Sequence, residues 1–260
     1  MGEVSRYPNG TFCWIDLGTP DVAEAKAFYG GLFDWDTEDR PSGRGGRYTV
    51  CRLEAKDVAA IHELGEGETP GWSSYISVDD VDAVTAKAQE LGARELMEPF
   101  DVMDTGRMAR IQDPAGAVVS LWQPRGLIGA RLVNEVGAWS WNELVTADLD
   151  AAKAFYGDLF GWQAEDLPAA IPRASFTMEN LLTGGVHSPT EQEVDAARWT
   201  VSFRVADADK SATVAQDLGG RILLPPMDIP IGRFAIVSDP SGAAFTITTF
   251  AGAWRGVDSS

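Results

Sequence analysis

The hexapeptide AKAFYG occurs twice in this chain, at residues 25–30 and again at residues 152–157. On both sides of it, further residues of the first half recur in the same order in the second half, across most of the 260 residues. Ordered similarity at a nearly constant separation is the signature of an internal repeat. The sequence therefore predicts two homologous domains, which cover residues 1–126 and 134–253.

The residues that flank the hexapeptide show how far the repeat extends. The matched positions are Trp14 and Trp141, Leu17 and Leu144, Asp21 and Asp148, Trp35 and Trp162, Trp72 and Trp199, Arg107 and Arg233, and the segments 113–117 and 239–243, which read DPAGA and DPSGA. Because aromatic residues and turn-forming residues are both matched, the two halves are expected to share one fold.

The residue pattern of each half predicts the same order of secondary structure, in which a strand is followed by a helix and then by further strands. Alternating apolar residues predict strands over residues 11–18 and 73–78. Asp21 predicts the N-terminal cap of a helix over residues 22–30, and the second half predicts a matching helix over residues 149–157. This unit of strand, helix and strands occurs twice in each half.

The complete pattern is similar to that of a known family. It reads W-x-x-L-x-x-x-D-x-x-x-A-K-A-F-Y-G-x-L-F-x-W from Trp14, continues as W-x-x-Y-I-x-V-D-D-V-D from Trp72, and ends with D-P-x-G-A. In these motifs the chain resembles the vicinal oxygen chelate superfamily, which includes glyoxalase I, bleomycin-resistance proteins and extradiol dioxygenases. The resemblance implies an α+β fold of four βαβββ modules, arranged as two tandem glyoxalase-like domains. Each pair of modules would curl around a cleft, and the two halves would pack around their first strands as a single-chain pseudo-dimer.

The positions that hold metal ligands in this family are occupied by other residue types here. Metal-dependent members take a His or Gln from the first strand, a second His from the strand at residues 73–78, and a Glu from the last strand. The corresponding positions of the two halves are Trp14 and Trp141, Ser73 and Thr200, and Ser120 and Thr246. Trp cannot bind a metal, and hydroxyls are poor ligands for divalent transition ions. We therefore expect no metal and no cofactor, and we treat these six residues as candidates for lining a ligand cleft.

Asp16 and Glu143 form a matched pair, two residues after the tryptophans of the first strands. Successive side chains of a strand alternate between its faces, so each carboxylate is expected to share a face with its tryptophan. On a cleft face the carboxylates are candidate catalytic acids or bases, or they hold a ligand hydroxyl or amine. The alternative is a structural role, in which they bond Arg107, Arg233 or the backbone.

The chain contains two histidines, His62 and His187, at nearly matching places in the repeats. Each lies close to the position where the resemblance puts a further glutamate ligand. One interpretation is a hydrogen-bonding group or general base in the cleft. The alternative is an exposed histidine at the end of a strand, because both residues run into polar loops.

Aromatic and arginine side chains supply the remaining candidates for ligand contacts. Trp14 and Trp141 are the first candidates for stacking, because they replace metal ligands, and such a cleft suits a planar aromatic or polycyclic molecule. Arg107 and Arg233 either stack on this ligand or close the edge of the sheet through a salt bridge. The other aromatic candidates are the matched pair Trp72 and Trp199.

Charge and composition narrow the range of partners. The chain has 39 acidic and 21 basic residues, a formal net charge of -18, which disfavours nucleic acid and anionic membrane surfaces. It has no apolar run long enough to span a bilayer and no secretory leader pattern. We expect a cytoplasmic protein, a monomer or a homodimer, that binds a small aromatic molecule. Cys13 and Cys51 are expected to be free thiols.

Two classes of function follow from the sequence. The first is metal-free binding of a planar aromatic or polycyclic molecule, as in antibiotic or natural-product sequestration of the bleomycin-resistance kind. The second is a metal-independent tailoring or accessory enzyme of natural-product biosynthesis, with Asp16, Glu143 or a histidine as the acid or base. A metal-dependent glyoxalase or dioxygenase is disfavoured by the residues at the ligand positions.

Overall fold

The structure, a computed structural model, describes residues 2–42, 46–190, 197–230 and 232–250. These residues form two eight-stranded mixed sheets, each associated with two helices. The predicted α+β class and the predicted duplication are confirmed. Residues 251–253, the last residues of the predicted second domain, lie outside the described residues.

The elements of the two halves follow one another in the same order. The first half contains β1 (Phe12–Thr19), α1 (Val22–Phe33), β2 (Asp36–Pro41), β3 (Arg47–Leu53), β4 (Lys56–Glu63), β5 (Gly71–Ser77), α2 (Val81–Glu90), β6 (Arg94–Val102), β7 (Gly106–Gln112) and β8 (Val118–Pro124). The second half contains β9 (Trp139–Val145), α3 (Leu149–Phe160), β10 (Gln163–Asp166), β11 (Arg173–Met178), β12 (Leu181–His187), β13 (Arg198–Arg204), α4 (Ala208–Asp217), β14 (Arg221–Ile229), β15 (Gly232–Ser238) and β16 (Ala244–Phe250).

The two sheets have equivalent strand orders. The first is β2-β3-β4-β1-β5-β8-β7-β6, and the second is β10-β11-β12-β9-β13-β16-β15-β14. Within each sheet, two βαβββ modules meet where their first strands pair in antiparallel fashion, β1 with β5 and β9 with β13. The four modules that the resemblance implied are therefore present.

Helices α1 and α3 begin where the sequence predicted and end about one turn later. The Asp21 side chain accepts a hydrogen bond from the backbone N–H of Glu24, and α1 continues to Phe33. It ends where Asp34 adopts the left-handed conformation, with φ 61°. The predicted end at residue 30 was wrong by about one turn, because a left-handed residue, rather than the glycine of the hexapeptide, stops the helix.

The two halves are joined by residues of the repeated motifs. The Tyr29 hydroxyl donates to Asp239 Oδ2 at 3.2 Å, and the Tyr156 hydroxyl donates to Asp113 Oδ2 at 2.9 Å. The tyrosines belong to the two AKAFYG hexapeptides, and the aspartates open the two DPxGA segments. Burial raises the pKa of both tyrosines, so each remains a donor. Each bond runs from one half to the other, which gives both motifs a structural reason to occur twice.

Strands and helices also meet between the halves. β5 packs against β13, with β8 and β16 beside them, while α1 contacts α4 and α2 contacts α3. We expected the halves to meet around their first strands, β1 and β9. The structure corrects that expectation in part, because the strands that pack most closely between the halves are β5 and β13, the first strands of the second modules. β1 contributes mainly through Phe12, whose ring centroid lies 4.9 Å from that of Trp199.

Both cysteines of the chain are buried in the first half. Cys13 and Cys51 are free and buried, as expected, and burial raises the pKa of both thiols. Such thiols stay protonated and do not act as nucleophiles.

Among the described residues, none of the helices has the length and apolar character needed to cross a membrane.

Candidate functional site

Strand register brings a set of polar side chains to one face of the first sheet. Asp16 lies opposite Ser73, and Trp14 lies opposite Tyr75, in the pairing of β1 with β5. Residues directly opposite each other on paired strands share a face. By the same rule, the pairing of β4 with β1 and β3 adds His62 and Tyr48 to this face. The pairing of β8 with β5 and β7 adds Ser120 and Arg110. We call the whole set the N-terminal polar cluster: Trp14, Asp16, Tyr48, His62, Ser73, Tyr75, Arg110 and Ser120.

The opposite face of the same strands is turned toward helix α1. Trp72 lies opposite Leu17 and donates from Nε1 to the Tyr29 hydroxyl of α1 at 3.1 Å. Since Leu17 is next to Asp16 in the strand, the N-terminal polar cluster points away from α1.

Asp16 lies at the centre of the N-terminal polar cluster and is 2% exposed. Its Oδ2 accepts hydrogen bonds from the hydroxyls of Tyr75 at 2.7 Å and Tyr48 at 3.0 Å. The Tyr48 hydroxyl in turn accepts from Trp14 Nε1 at 2.8 Å. Burial, followed by the charge of Asp16, raises the pKa of both tyrosines. The two hydroxyls therefore remain neutral donors, and none of the Arg and Lys side chains in the described ranges is hydrogen-bonded to Asp16.

The other carboxylate oxygen of Asp16, Oδ1, is buried and has no hydrogen-bond partner in the described part of the protein. His62 Nε2 lies 3.8 Å from it, which is beyond hydrogen-bond distance. His62 Nδ1 lies 3.0 Å from the Glu63 carbonyl, an oxygen that only accepts, so this nitrogen carries a proton. In a neutral His62, Nε2 is then an acceptor. Two acceptors thus face the same small space, which suits a shared donor.

Arg110 supplies the donors of the N-terminal polar cluster. Its Nη2 donates to Ser73 Oγ at 3.0 Å, and its Nη1 donates to Glu68 Oε1 at 3.4 Å. The Nε of Arg110 is buried without a hydrogen-bond partner among the described residues. Burial raises the pKa of Tyr75, and the positive charge of Arg110 opposes that shift. The cluster therefore contains an unsatisfied acceptor and an unsatisfied donor.

The second half places a different set of residues at the equivalent positions. Glu143 lies opposite Thr200, as Asp16 lies opposite Ser73, and the Thr200 hydroxyl donates to the Glu143 carbonyl at 3.0 Å. Arg173 lies opposite His187, as Tyr48 lies opposite His62. Arg173 Nη2 donates to Glu143 Oε1 at 2.5 Å, so an ion pair replaces the tyrosine-held carboxylate.

The remaining positions of the second half are less polar than those of the first. Ser202 takes the place of Tyr75, opposite Trp141 and beside Thr246. Ile236 takes the place of Arg110. The fold is therefore duplicated, while the chemistry of its polar face is not.

Three tryptophans that were candidates for ligand contacts, namely Trp14, Trp72 and Trp199, pack against other residues of the protein. Trp14 is 3% exposed and supports Tyr48, so it offers no open face for stacking. Trp72 and Trp199 lie at the contact between the halves, with ring centroids 5.1 Å from Phe203 and 4.9 Å from Phe12, respectively. The role in ligand contacts is therefore corrected to a packing role for the buried Trp14 and Trp199, while Trp72 is partly buried and packs against the core.

Arg107 and Arg233 form salt bridges at the edge of each sheet, which is the second of the two roles that the sequence allowed. Arg107 pairs with Asp82 at 2.7 Å and with Asp101 at 3.2 Å. Arg233 pairs in the same way with Asp209 at 2.6 Å and with Asp228 at 2.9 Å. Both guanidinium groups join a helix to an edge strand, so we remove them from the candidate ligand contacts.

Replacing Arg107 or Arg233 by alanine is expected to leave ligand affinity unchanged and to change the thermal unfolding midpoint very little. The ion pairs lie at the surface, where solvent and salt screen them. Calorimetric unfolding and titration of the two variants measure both quantities. A loss of affinity in either variant would return these arginines to the binding site.

Three residues of the N-terminal polar cluster were missed in the sequence, namely Tyr48, Tyr75 and Arg110. Alternation within a strand predicts which side chains share a face, but not which strands are neighbours. The pairing of β3 with β4 and of β7 with β8 brings Tyr48 and Arg110 to Asp16 and Ser73. A Tyr three residues after the motif tryptophan, at position 75, was the one signal available in the sequence.

The donor set does not fit the divalent metal that the fold family implies. Among the described residues, no group of three or more His, Cys, Asp and Glu side chains is placed to hold a metal ion. Asp16 and His62 provide two donors in the first half, and Glu143 is bound to Arg173 in the second. Hydroxyls do not complete such a site for transition ions. We derive no chemistry through a metal.

Comparison with known proteins places both halves in one family. The family model described as Glyoxalase/Bleomycin resistance protein/Dioxygenase superfamily matches residues 11–121 and 138–247. The chain is 42% identical over 255 residues to "Putative glyoxylase CFP32" of Mycobacterium tuberculosis, a match that covers 95% of this chain and 97% of the relative. It is 33% identical over 274 residues to "Anthracycline biosynthesis protein DnrV" of Streptomyces peucetius, covering 94% of each.

Solved structures show the same fold at low sequence identity. The Mn(II)-bound glyoxalase from Novosphingobium aromaticivorans is similar with a TM-score of 0.65 and 16% identity, covering 95% of this chain and 83% of that one. The 2,3-dioxygenase LapB from Pseudomonas sp. KL28 has a TM-score of 0.65 and 15% identity, covering 99% and 95%. At these identities the similarity is one of fold.

Proposed function

This chain belongs to the Glyoxalase/Bleomycin resistance protein/Dioxygenase superfamily, and from that premise we propose that it binds a planar aromatic or polycyclic small molecule over the N-terminal polar cluster, without a metal ion. The observation that carries the proposal is the buried Asp16 Oδ1, which has no partner in the described part of the protein. Leaving a buried polar oxygen without a hydrogen bond costs about 1–3 kcal/mol. A ligand that donates to this oxygen recovers that free energy on binding.

Two rings beside Asp16 support the planar shape of the ligand. The rings of Tyr48 and His62 are nearly parallel, with an interplanar angle of 14° and centroids 6.3 Å apart. His62 remains 30% exposed, so this part of the N-terminal polar cluster is open to solvent. Aromatic faces of this kind bind planar molecules by stacking.

The relatives support a polycyclic ligand and natural-product biosynthesis. Two proteins that are 32–33% identical to this chain are named for anthracycline biosynthesis. These names are compatible with two roles for the site. It could sequester the compound, as in antibiotic resistance, or take part in a step of its formation.

Acid–base catalysis is the second candidate function, and the pair Asp16 and His62 favours it. The two side chains present acceptor atoms 3.8 Å apart in a partly enclosed place, where one could take a proton from a bound molecule. The aspartate would act as the base, and His62 would hold or relay the proton. Asp16→Asn separates the two candidates, because a binding protein keeps its function with a changed affinity, whereas an enzyme binds and does not turn over its substrate.

We place this activity in the cytoplasm, in a monomer or homodimer that associates with neither nucleic acid nor membrane. The net charge of -18 supports the absence of nucleic-acid and membrane partners, because an acidic surface is repelled by polyanions. Equilibrium sedimentation with and without DNA and anionic vesicles measures the oligomeric state and both kinds of association, and cell fractionation measures the location.

Planar aromatic compounds are expected to raise the unfolding temperature of the protein, and divalent metal ions are not. A ligand at a hundred times its Kd stabilises the folded state by about 2.7 kcal/mol. For a protein of this size, each kcal/mol corresponds to roughly 2–4 °C. A thermal-shift screen of chelator-treated protein compares planar aromatics with Zn²⁺, Mn²⁺, Ni²⁺ and Fe²⁺. Stabilisation by a metal at one equivalent, with none by any aromatic compound, would contradict the proposal.

A further inference from the structure

Resting on the proposed function, we infer that the N-terminal polar cluster selects a neutral aromatic ligand that carries both a hydroxyl and a carbonyl group, such as a hydroxyquinone or an aromatic hydroxyketone. This selectivity follows from the pattern of unsatisfied donors and acceptors around Asp16.

The acceptor side of the cluster calls for a hydroxyl on the ligand. Asp16 Oδ1 is buried and has no partner among the described residues, while its Oδ2 is already occupied by two tyrosine hydroxyls. His62 Nε2, 3.8 Å away, is also an acceptor when the ring is neutral, because the Glu63 carbonyl fixes the proton on Nδ1. A single O–H group between these atoms can donate to either one.

The donor side of the cluster calls for a carbonyl on the ligand. Arg110 Nε is buried without a partner in the described part of the chain. Arg110 Nη2 donates to Ser73 Oγ at 3.0 Å, and a hydroxyl that accepts one hydrogen bond still has its own proton to donate. Because Ser73 lies directly opposite Asp16 on the neighbouring strand, these donors and the Asp16 acceptor share one face of the sheet.

The charges of the cluster favour a neutral molecule. The groups that donate to Asp16 among the described residues are two neutral hydroxyls, and its remaining acceptor oxygen would repel the acceptor oxygens of an anionic ligand. Arg110, whose Nη1 is 3.4 Å from Glu68 Oε1, stands near Asp16 and disfavours a cationic ligand. A hydroxyl and a carbonyl satisfy both sides without adding charge.

The second half does not offer this combination. Glu143 is paired with Arg173, and Ile236 stands at the position of Arg110. The selectivity for a hydroxyl and a carbonyl is therefore confined to the first half.

The experiment compares two probes and two forms of the protein. The probes are 2-hydroxyanthraquinone and its methyl ether, which share their carbonyls and their planar ring system, measured by calorimetry at a pH where the phenol is neutral. In the unmodified protein the hydroxyl probe is expected to bind more tightly by about tenfold or more, since a hydrogen bond to a charged group is worth that factor. In Asp16→Asn the amide oxygen still accepts from the tyrosines, while the amide N–H₂ replaces Oδ1. The preference for the hydroxyl is therefore expected to shrink, because only His62 Nε2 of the two acceptors remains for it.

Two further variants complete the design. Arg110→Met is expected to weaken both probes by the same factor, because both carry the carbonyl. Asp39→Asn, the same chemical change at an exposed aspartate bonded to Lys26 and Thr49, is expected to keep the preference of the unmodified protein.

Three outcomes would overturn parts of this account in different ways. Equal binding of the two probes by the unmodified protein contradicts the selectivity and leaves the proposed aromatic site standing. Tighter binding of 2-(aminomethyl)anthraquinone than of the hydroxyl probe shows that the site takes a cation. Binding of none of the planar probes overturns the proposed function itself.

Discussion

Replacing Trp162 by alanine is expected to lower the free energy of unfolding by about 3–5 kcal/mol, the usual range for a buried aromatic residue. Trp162 is 4% exposed and packs against Tyr156 and Phe176, with ring centroids 5.3 Å and 5.1 Å away. Its Nε1 donates to the Gly10 carbonyl of the other half at 2.8 Å. The substitution removes this packing and also leaves a buried carbonyl without its donor.

Urea denaturation of the unmodified and substituted proteins measures this change. Trp35→Ala is expected to show a comparable loss, because Trp35 Nε1 donates to the Gly137 carbonyl at 2.8 Å in the pseudo-symmetric position. Leu167→Ala is the matched control, since Leu167 is 41% exposed and is expected to change the unfolding free energy little. A Trp162 variant as stable as the Leu167 variant would show that the contact between the halves is not formed as described.

Replacing Asp16 by alanine is expected to reduce both the stability of the protein and the affinity for its aromatic ligand. The hydroxyls of Tyr48 and Tyr75 lose their acceptor, and each buried donor left unsatisfied costs about 1–3 kcal/mol. The ligand loses a hydrogen bond to a charged group, which corresponds to a fall in affinity of about tenfold or more.

The isosteric variant separates these two effects. Asp16→Asn keeps an acceptor for the tyrosines, so it is expected to retain most of the stability and still to lose affinity for a ligand that donates a hydroxyl. Denaturation and calorimetric titration of Asp16→Ala, Asp16→Asn and the surface control Asp39→Asn give the comparison. If Asp16→Ala unfolded like the unmodified protein and bound with the same affinity, the tyrosine-held carboxylate would have neither a structural nor a functional role.

The doubled motif was sufficient to predict the fold, because it specified both the order of elements and their repetition. It also contained the contact between the halves, since Tyr29 and Tyr156 of the hexapeptides bond the aspartates of the DPxGA segments. The residue patterns predicted none of the four edge strands, β2 and β6 of the first sheet and β10 and β14 of the second. The reason is clearest for β2 and β10. Their sequences, DTEDRP and QAED, have little apolar character, and strands at the edge of a sheet need less of it than central ones.

The candidate site could be predicted only in part. Alternation along β1 and the placement of the histidines led to Asp16 and His62, which the structure brings to 3.8 Å. The partners of Asp16 come from β3 and β5, and the nearby Arg110 comes from β7, so they depend on strand order and register. The sequence also could not show that Trp14 lies beneath Tyr48, because burial depends on residues of another strand.

The central claim is that the ligand binds at the N-terminal polar cluster and not at its counterpart in the second half. The most direct measurement is a calorimetric titration of 2-hydroxyanthraquinone into the unmodified protein, Tyr48→Ala and Arg173→Ala, two variants altered at equivalent positions of the two halves. The account predicts one bound molecule per chain, weaker binding in Tyr48→Ala and unchanged binding in Arg173→Ala. Two molecules per chain, or a loss of binding in Arg173→Ala alone, would contradict it.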